Sequence, residues 1–301
     1  MIDYDTIEKA IYDATRQAVT RIPGDVLCAL QQALDEEKQP LARKHLELTL
    51  ENARLAEGGE GLICGDTGYP LYFAYAGPET SIKGGFRSLN RAASSAVRRA
   101  TEEGYLRPTM VDALTRKNPG DNCGPGMPHV HLEFSGRPKE LRIVAVPKGG
   151  GSEIFGTFYR MLYPSDGMEG LQKFIIRSVY RSCYAGKVCP PAVIGVGIGG
   201  TADLSMKMAK QAAVLRALGT ENEDSELTEM ELKLLNALRQ LGIGPMGANG
   251  VSPVLAIHIQ KALTHTAALP VAVNAQCSIC RRWIAVITDS GKVTLTDKLN
   301  E

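Results

Sequence analysis

Glycine is spread unevenly along this chain, and that unevenness limits what it can fold into. The 301 residues include 31 glycines, above the usual ~7%, and the excess gathers at Gly58-Gly59, Gly149-Gly150-Gly151, Gly195 through Gly200 and Gly242 to Gly244. Clustered glycines mark places where backbone approaches something closely or takes positive φ. Between the clusters, segments with helical spacing alternate with short β-branched runs, which predicts a mixed α/β fold. A helical N-terminal region over about residues 1–60 is followed by mixed sheets with packed helices. The chain reads as one unit over 1–301, compatible with two lobes meeting near Gly186.

The helical reading rests on Ile7, Ile11 and Ala14, on a second segment after Pro23-Gly24-Asp25, and on a third from Leu41 to Ala56 that stops at Gly58-Gly59. Strands are predicted over Leu71–Ala76, His129–Phe134, Leu141–Val146, Ala192–Gly197, Val251–Ile259, Pro270–Ala275 and Trp283–Thr288. Helices are predicted over Leu89–Glu103, Leu171–Tyr184, from a cap at Asp203 or Ser205 to Leu218, and over Leu227–Leu241. Residues 117–126 are dense in turn formers.

Composition excludes several functions. Hydrophobic residues make up 44% and charged residues 22%, ordinary for a globular protein. The net charge of +1 gives no bulk attraction to nucleic acid or an anionic membrane. No apolar run reaches about 18 residues, so no membrane span is expected. The N-terminal Met1-Ile2-Asp3-Tyr4-Asp5 lacks a signal-peptide pattern, and a cytoplasmic location is the expectation. Seven widely spaced cysteines argue against a disulfide framework.

Three cysteines lie in marked segments: Cys64-Gly65-Asp66-Thr67-Gly68, Cys189-Pro190-Pro191, and Cys277 ahead of Cys280-Arg281-Arg282. Cys64 sits in a tight turn, with a carboxylate two residues on that can move a proton. Cys189 precedes two prolines, a rigid setting that recurs beside iron–sulfur ligands; Cys183, inside a predicted helix, reads as buried. Three separate thiolates can hold a [4Fe–4S] cluster and leave one iron without a protein ligand. Cys277-x-x-Cys280 also admits a redox pair, a ligand beside a spectator, or half of a zinc site completed by His129 and His131. Arg281 and Arg282 suit an anionic cluster or dicarboxylate, or are a solvated basic pair.

Gly195-Val196-Gly197-Ile198-Gly199-Gly200 matches a dinucleotide fingerprint, but the sequence shows no second strand ending in an acid about twenty residues on. Close strand–helix packing accounts for these glycines equally well. Lys148-Gly149-Gly150-Gly151-Ser152 is not a Walker A loop, since the lysine precedes the glycines, although it can form a nest of N–H groups for a carboxylate. Arg107 and His265 are single polar candidates.

Taken together and in order, these segments resemble the class I fumarate hydratase and L-tartrate dehydratase family, on its alpha subunit or the equivalent N-terminal domain. Leu241-Gly242-Ile243-Gly244-Pro245 and Val273 through Arg282 extend the resemblance. It implies a [4Fe–4S] cluster on Cys64, Cys189 and Cys277, and substrate bordered by Asp66, Thr67, Arg107, Gly150, Gly151 and His265. Asp66 and His265 would be catalytic, and Thr67, Arg107, Gly150 and Gly151 substrate-binding. The open iron would act as a Lewis acid in reversible dehydration of a small hydroxy-dicarboxylate.

Two positions depart from that family's pattern: Gly65 and Met246 stand where Gln is usual, which bears on the substrate. Cys280 stands where some relatives carry His or Asp, and the resemblance assigns it no role. The family's beta region does not follow Cys277, so a separately encoded beta subunit is expected, with alpha chains pairing inside a heterotetramer. Alternatives are a non-catalytic, cluster-bearing scaffold subunit and a nucleotide-dependent oxidoreductase.

Overall fold

The computed structural model describes residues 1–134 and 136–299. The chain begins with α1 (Tyr4–Thr20), α2 (Gly24–Glu36), α3 (Pro40–Glu57), β1 (Tyr69–Ala76), α4 (Arg87–Glu102), β2 (His129–Phe134), β3 (Glu140–Lys148) and α5 (Gly150–Phe155). It continues with β4 (Thr157–Leu162), α6 (Gly167–Cys183), β5 (Ala192–Ile198), α7 (Ala202–Leu215) and α8 (Ser225–Arg239). The last strands are β6 (Val254–Lys261), β7 (Leu269–Gln276), β8 (Trp283–Thr288) and β9 (Val293–Thr296). The mixed α/β expectation agrees with this order.

The chain forms two compact units, each assembled from separate stretches. Unit 1 comprises Met1–Pro23, Ala53–Gly150 and Arg281–Glu301; unit 2 comprises Gly24–Asn52 and Gly151–Cys280. Gly186 lies inside unit 2, so no boundary falls there.

Unit 1 holds a sheet of order β2-β1-β3-β8-β9, parallel only between β1 and β2. Helices α1 and α4 pack on it through Ile7, Ile11, Leu89, Ala93 and Val97, in a core shared with Tyr72, Ile143 and Ile287. Helix α1 is capped by Asp3, whose side chain accepts the Thr6 N–H at 2.8 Å.

Unit 2 holds a sheet of order β4-β7-β5-β6, in which β5 and β6 are parallel and the other pairs antiparallel. One face carries α7. The other packs Ile194 and Val196 against Leu171, Ile175 and Val179 of α6 and Leu234 and Leu238 of α8.

The strands β4 and β9 and the short helix α5 were not legible in the sequence. Strand β4 is a sheet edge with Tyr159, Arg160 and Met161 all exposed, so it lacks hydrophobic alternation. Helix α7 ends at Leu215 rather than Leu218 because Arg216 is extended and the Leu218 N–H is drawn to Asp25 Oδ2 at 2.8 Å. Its N-cap is Thr201, not Asp203 or Ser205.

Candidate functional site

In unit 1 the turn ahead of β1 is tied down on every side. Ile63 N–H donates to Val19 O at 3.0 Å, which anchors the turn to the end of α1. Cys64 follows, half-buried. Asp66 Oδ1 accepts the Gly68 N–H at 3.0 Å, and Oδ2 accepts the Gly150 N–H at 2.7 Å. Each oxygen keeps a second lone pair. The Gly150 N–H is thereby committed to Asp66 and does not face a ligand. Gly68 has φ +77°, and a Cβ there would stand 2.1 Å from Lys148 O, so this glycine is required both by conformation and by space.

Arg107 arrives from the segment after α4. Its backbone N–H donates to Thr67 Oγ1 at 2.9 Å, and its Nη1 donates to Gly65 O at 2.8 Å. Thr67 is buried, and Arg107 is exposed. Unit 1 therefore brings Asp66, Thr67, Gly150 and Arg107 together beside Cys64.

Arg281, which the sequence offers either to an anionic cluster or dicarboxylate or to solvent, lies against the Asp66 turn. Its guanidinium is buried, and Nη1 donates to Asp66 O at 2.7 Å. Its Nε has no hydrogen-bond partner among the described residues. Arg282 is buried too, so the pair is not a solvated basic surface. Lys148, at the end of β3, is also fully buried. The signal available in the sequence was the position of the arginine pair directly after a cysteine segment.

In unit 2 two cysteine loops meet at one end of the sheet. Cys189 precedes β5 and is exposed, with φ +53°, a left-handed conformation uncommon away from glycine. It is held there on both sides: its N–H donates to Gly186 O at 2.9 Å, and its carbonyl accepts the Ser278 N–H at 3.1 Å. Ser278 directly follows Cys277, which is half-buried after β7. Met246 N–H donates to Pro190 O at 2.9 Å and steadies the same turn.

The remaining thiols separate by environment. Cys280 Sγ donates to Cys277 O at 3.0 Å and is buried, which fits a spectator that shapes the turn. Cys183 is fully buried, and burial pushes its thiol up to about 12. Burial also raises the thiol of Cys123. Soft thiols presented on loops, with two buried guanidinium groups next in the chain, have the donor chemistry and charge an iron–sulfur cluster needs. His129 and His131 pack edge to face, 4.1 Å between ring centroids, and His131 stacks on Phe73. No three His, Cys, Asp or Glu side chains among the described residues gather as a single-metal site.

His265 does not join the cysteine loops of its own unit. It lies exposed in the turn between β6 and β7, where its Nδ1 accepts the Ala267 N–H at 3.2 Å. Cys277 follows the other end of β7, which has 8 residues, so the strand separates the two by roughly 26 Å at ~3.3 Å per residue. Gly151 opens unit 2 within α5, with Lys187 O 3.4 Å from where its Cβ would be.

The Gly195-to-Gly200 segment has a steric explanation. A Cβ on Gly195 would lie 1.9 Å from Ala209 O, and one on Gly197 would lie 2.0 Å from Ser205 O. Helix α7 thus rests directly on the β5 backbone. As expected, no strand stands about twenty residues on: the next one, β6, pairs parallel with β5 only after α7 and α8. It ends in Lys261, which is paired with Asp224 and Glu226, rather than in the acid a dinucleotide ribose needs.

Comparison with known proteins follows the same residues. The family model for fumarate hydratase (fumerase) matches residues 8–286. A Methanocaldococcus jannaschii protein, whose name proposes it as the alpha subunit of an L(+)-tartrate dehydratase, is 37% identical over 288 residues, covering 95% of this chain and 99% of that protein. The L(+)-tartrate dehydratase subunit alpha of Escherichia coli K12 is 30% identical over 281 residues, covering 93% of this chain and 90% of that protein. Among the described residues, no helix is long and apolar enough to cross a membrane.

Proposed function

The chain belongs to the fumarate hydratase (fumerase) family, and we propose that it is the alpha subunit of a hydro-lyase that reversibly dehydrates a small hydroxy-dicarboxylate of the malate or tartrate type. The observation that carries this reading is the knot in unit 1 where the Cys64 turn, Arg107 and the glycine segment meet around Asp66. Cys64, Cys189 and Cys277 are proposed to hold a [4Fe–4S] cluster, which when bound supplies Lewis-acid polarisation of the C–OH bond.

The protein's own groups then divide the work. Arg107 spends its backbone N–H and Nη1 on Thr67 and Gly65, which leaves Nε and Nη2 to take a substrate carboxylate. Asp66 is proposed to move the proton on the carbon beside that carboxylate, using the lone pairs its two backbone bonds leave. Gly150 orients Asp66, and Gly151 is proposed as a backbone donor to a substrate carboxylate. The positive charge of Arg281 opposes the negative charge that develops as the proton leaves.

The names of the relatives as subunit alpha support a separate beta subunit as partner. Pairing of two alpha chains, giving a heterotetramer, is supported by His265: a second copy is a route by which its imidazole reaches cysteine loops that its own unit keeps a strand's length away. A reducing, cytoplasmic setting suits an oxidation-sensitive cluster.

The test is anaerobic reconstitution of the chain co-expressed with its beta subunit, followed by dehydration assays on malate, tartrate and related hydroxy acids with iron determined in parallel. Turnover with a bound cluster is expected, and Cys64→Ser, Cys189→Ser and Cys277→Ser should each lose iron while Cys183→Ser and Cys280→Ser keep it. An intact cluster and partner with no turnover would instead indicate a scaffold subunit.

A further inference from the structure

The glycines around Asp66 are not alike. Gly68 is excluded from carrying a side chain by its φ of +77° and by Lys148 O at 2.1 Å, and a Cβ on Gly150 would press on Asp66 Oδ2 at 3.2 Å and require that carboxylate to give way. Gly65 has neither constraint. It is not among the positive-φ residues, and a Cβ built on it would meet only Arg107 Nη1, at 3.8 Å, an ordinary van der Waals contact. The backbone there accepts an L-residue, and glycine carries an entropic cost on folding that alanine would avoid. The absent side chain therefore matters for what it leaves uncovered.

That position lies beside Nη1 of the Arg107 guanidinium. Nη1 is fixed by Gly65 O at 2.8 Å, and Arg107 is exposed. Among the described residues, no hydrogen bond is recorded from its Nε or Nη2. A side chain at 65 would take up space beside the guanidinium that a group next to a bound carboxylate otherwise has open to it. A substrate carbon placed where a Cβ would stand meets the weakly hydrated guanidinium at ordinary contact distance.

We propose that Gly65 determines specificity, and that the preferred substrate is a hydroxy-dicarboxylate with an alkyl substituent on the carbon beside the carboxylate held by Arg107. This rests on the hydro-lyase reading above and narrows it. The chemistry balances without a redox partner: the C–OH bond and the neighbouring C–H bond break, a C=C bond bearing the alkyl group forms, and water leaves.

The experiment uses the complex with its beta subunit, reconstituted anaerobically. It measures kcat/KM for a four-carbon 2-hydroxy-dicarboxylate carrying hydrogen, hydroxyl, methyl or ethyl at the adjacent carbon, in wild type, Gly65→Ala and Gly65→Gln. The ligand-induced rise in unfolding midpoint is followed for the same series. Wild type should favour the alkyl-bearing compounds by about tenfold or more, the scale set by one methylene in a pocket. Gly65→Ala should reverse that ratio by a similar factor, Gly65→Gln by more, and the midpoint shifts should follow the same order. Gly65→Ala should fold as wild type does, since a Cβ fits.

A wild-type preference for hydrogen at that carbon, or a ratio unmoved by both substitutions, overturns the proposal. Failure of Gly65→Ala to fold overturns the geometry behind it. Absence of turnover with every compound, the unsubstituted one included, overturns the hydro-lyase reading itself and this inference with it.

Discussion

Asp66 Oδ2 accepts the Gly150 N–H at 2.7 Å across 84 residues of sequence. Together with the Gly68 N–H at 3.0 Å on Oδ1, this makes one carboxylate the joint between the first cysteine turn and the glycine segment. Asp66→Asn replaces an acceptor with a donor that faces a backbone N–H. A loss of about 1–3 kcal/mol is expected from the unsatisfied group, read from urea unfolding midpoints, together with loss of turnover. Asp66→Asn with wild-type stability would show that the joint is not needed for the fold.

Thiol reactivity should sort the cysteines. In the cluster-free protein, Cys28 and Cys189 are exposed and should be alkylated first. Cys183, buried with its thiol pushed up to about 12, should react only after unfolding. After reconstitution Cys189 should become protected while Cys28 stays reactive. Peptide mass spectrometry after timed alkylation measures this.

Gly195→Ala tests the steric account of the glycine-rich strand. Its Cβ would stand 1.9 Å from Ala209 O, a backbone atom that cannot move aside without shifting α7. A destabilisation of at least about 1–3 kcal/mol is expected from overpacking. Titration of the wild type with NAD or NADP should show no saturable binding. Tight binding would restore the oxidoreductase reading.

The location of His265 makes a statement about pairing. If two alpha chains share sites, mixing a His265→Asn complex with a Cys277→Ser complex under subunit exchange should recover activity, up to about a quarter of the wild-type level if one site in four receives both intact groups by random exchange. No recovery, with exchange verified by mass, would place the function of His265 within its own chain or nowhere.

Tyr72 predicts an alkaline limit to stability. It is fully buried, its hydroxyl lies 2.8 Å from Thr15 Oγ1, and burial raises its ionisation well above the ordinary value. With the folded value above the unfolded ~10, its contribution is fully present below pH ~10 and is lost as pH rises further, because the unfolded chain releases the proton first. Unfolding midpoints taken from pH 8 to 11 should fall, and Tyr72→Phe should flatten the fall.

Much of the fold could be read locally. Ile7, Ile11 and Ala14 marked α1, and the β-branched run Leu141–Val146 marked β3, because helical and strand periods are properties of adjacent residues. Strand β4 was not readable, because an edge strand with three exposed residues in succession has no such period. The parallel return of β6 beside β5 was also hidden, since it depends on a register set across two intervening helices.

The candidate site divides in the same way. The sequence by itself determined the cysteine segments, the Asp66 turn and the family, because these are short motifs in a fixed order. Only the tertiary structure decided which groups serve one another. It committed the Gly150 N–H to Asp66, buried Arg281 against the Asp66 carbonyl, joined the Cys189 and Cys277 loops through Ser278, and set His265 a strand's length away. It also separated Gly68, where backbone crowding forbids a side chain, from Gly65, where nothing does. The physical reason is that hydrogen-bond saturation and excluded volume arise between segments far apart in sequence, and neither is encoded in the identity of a residue or of its neighbours.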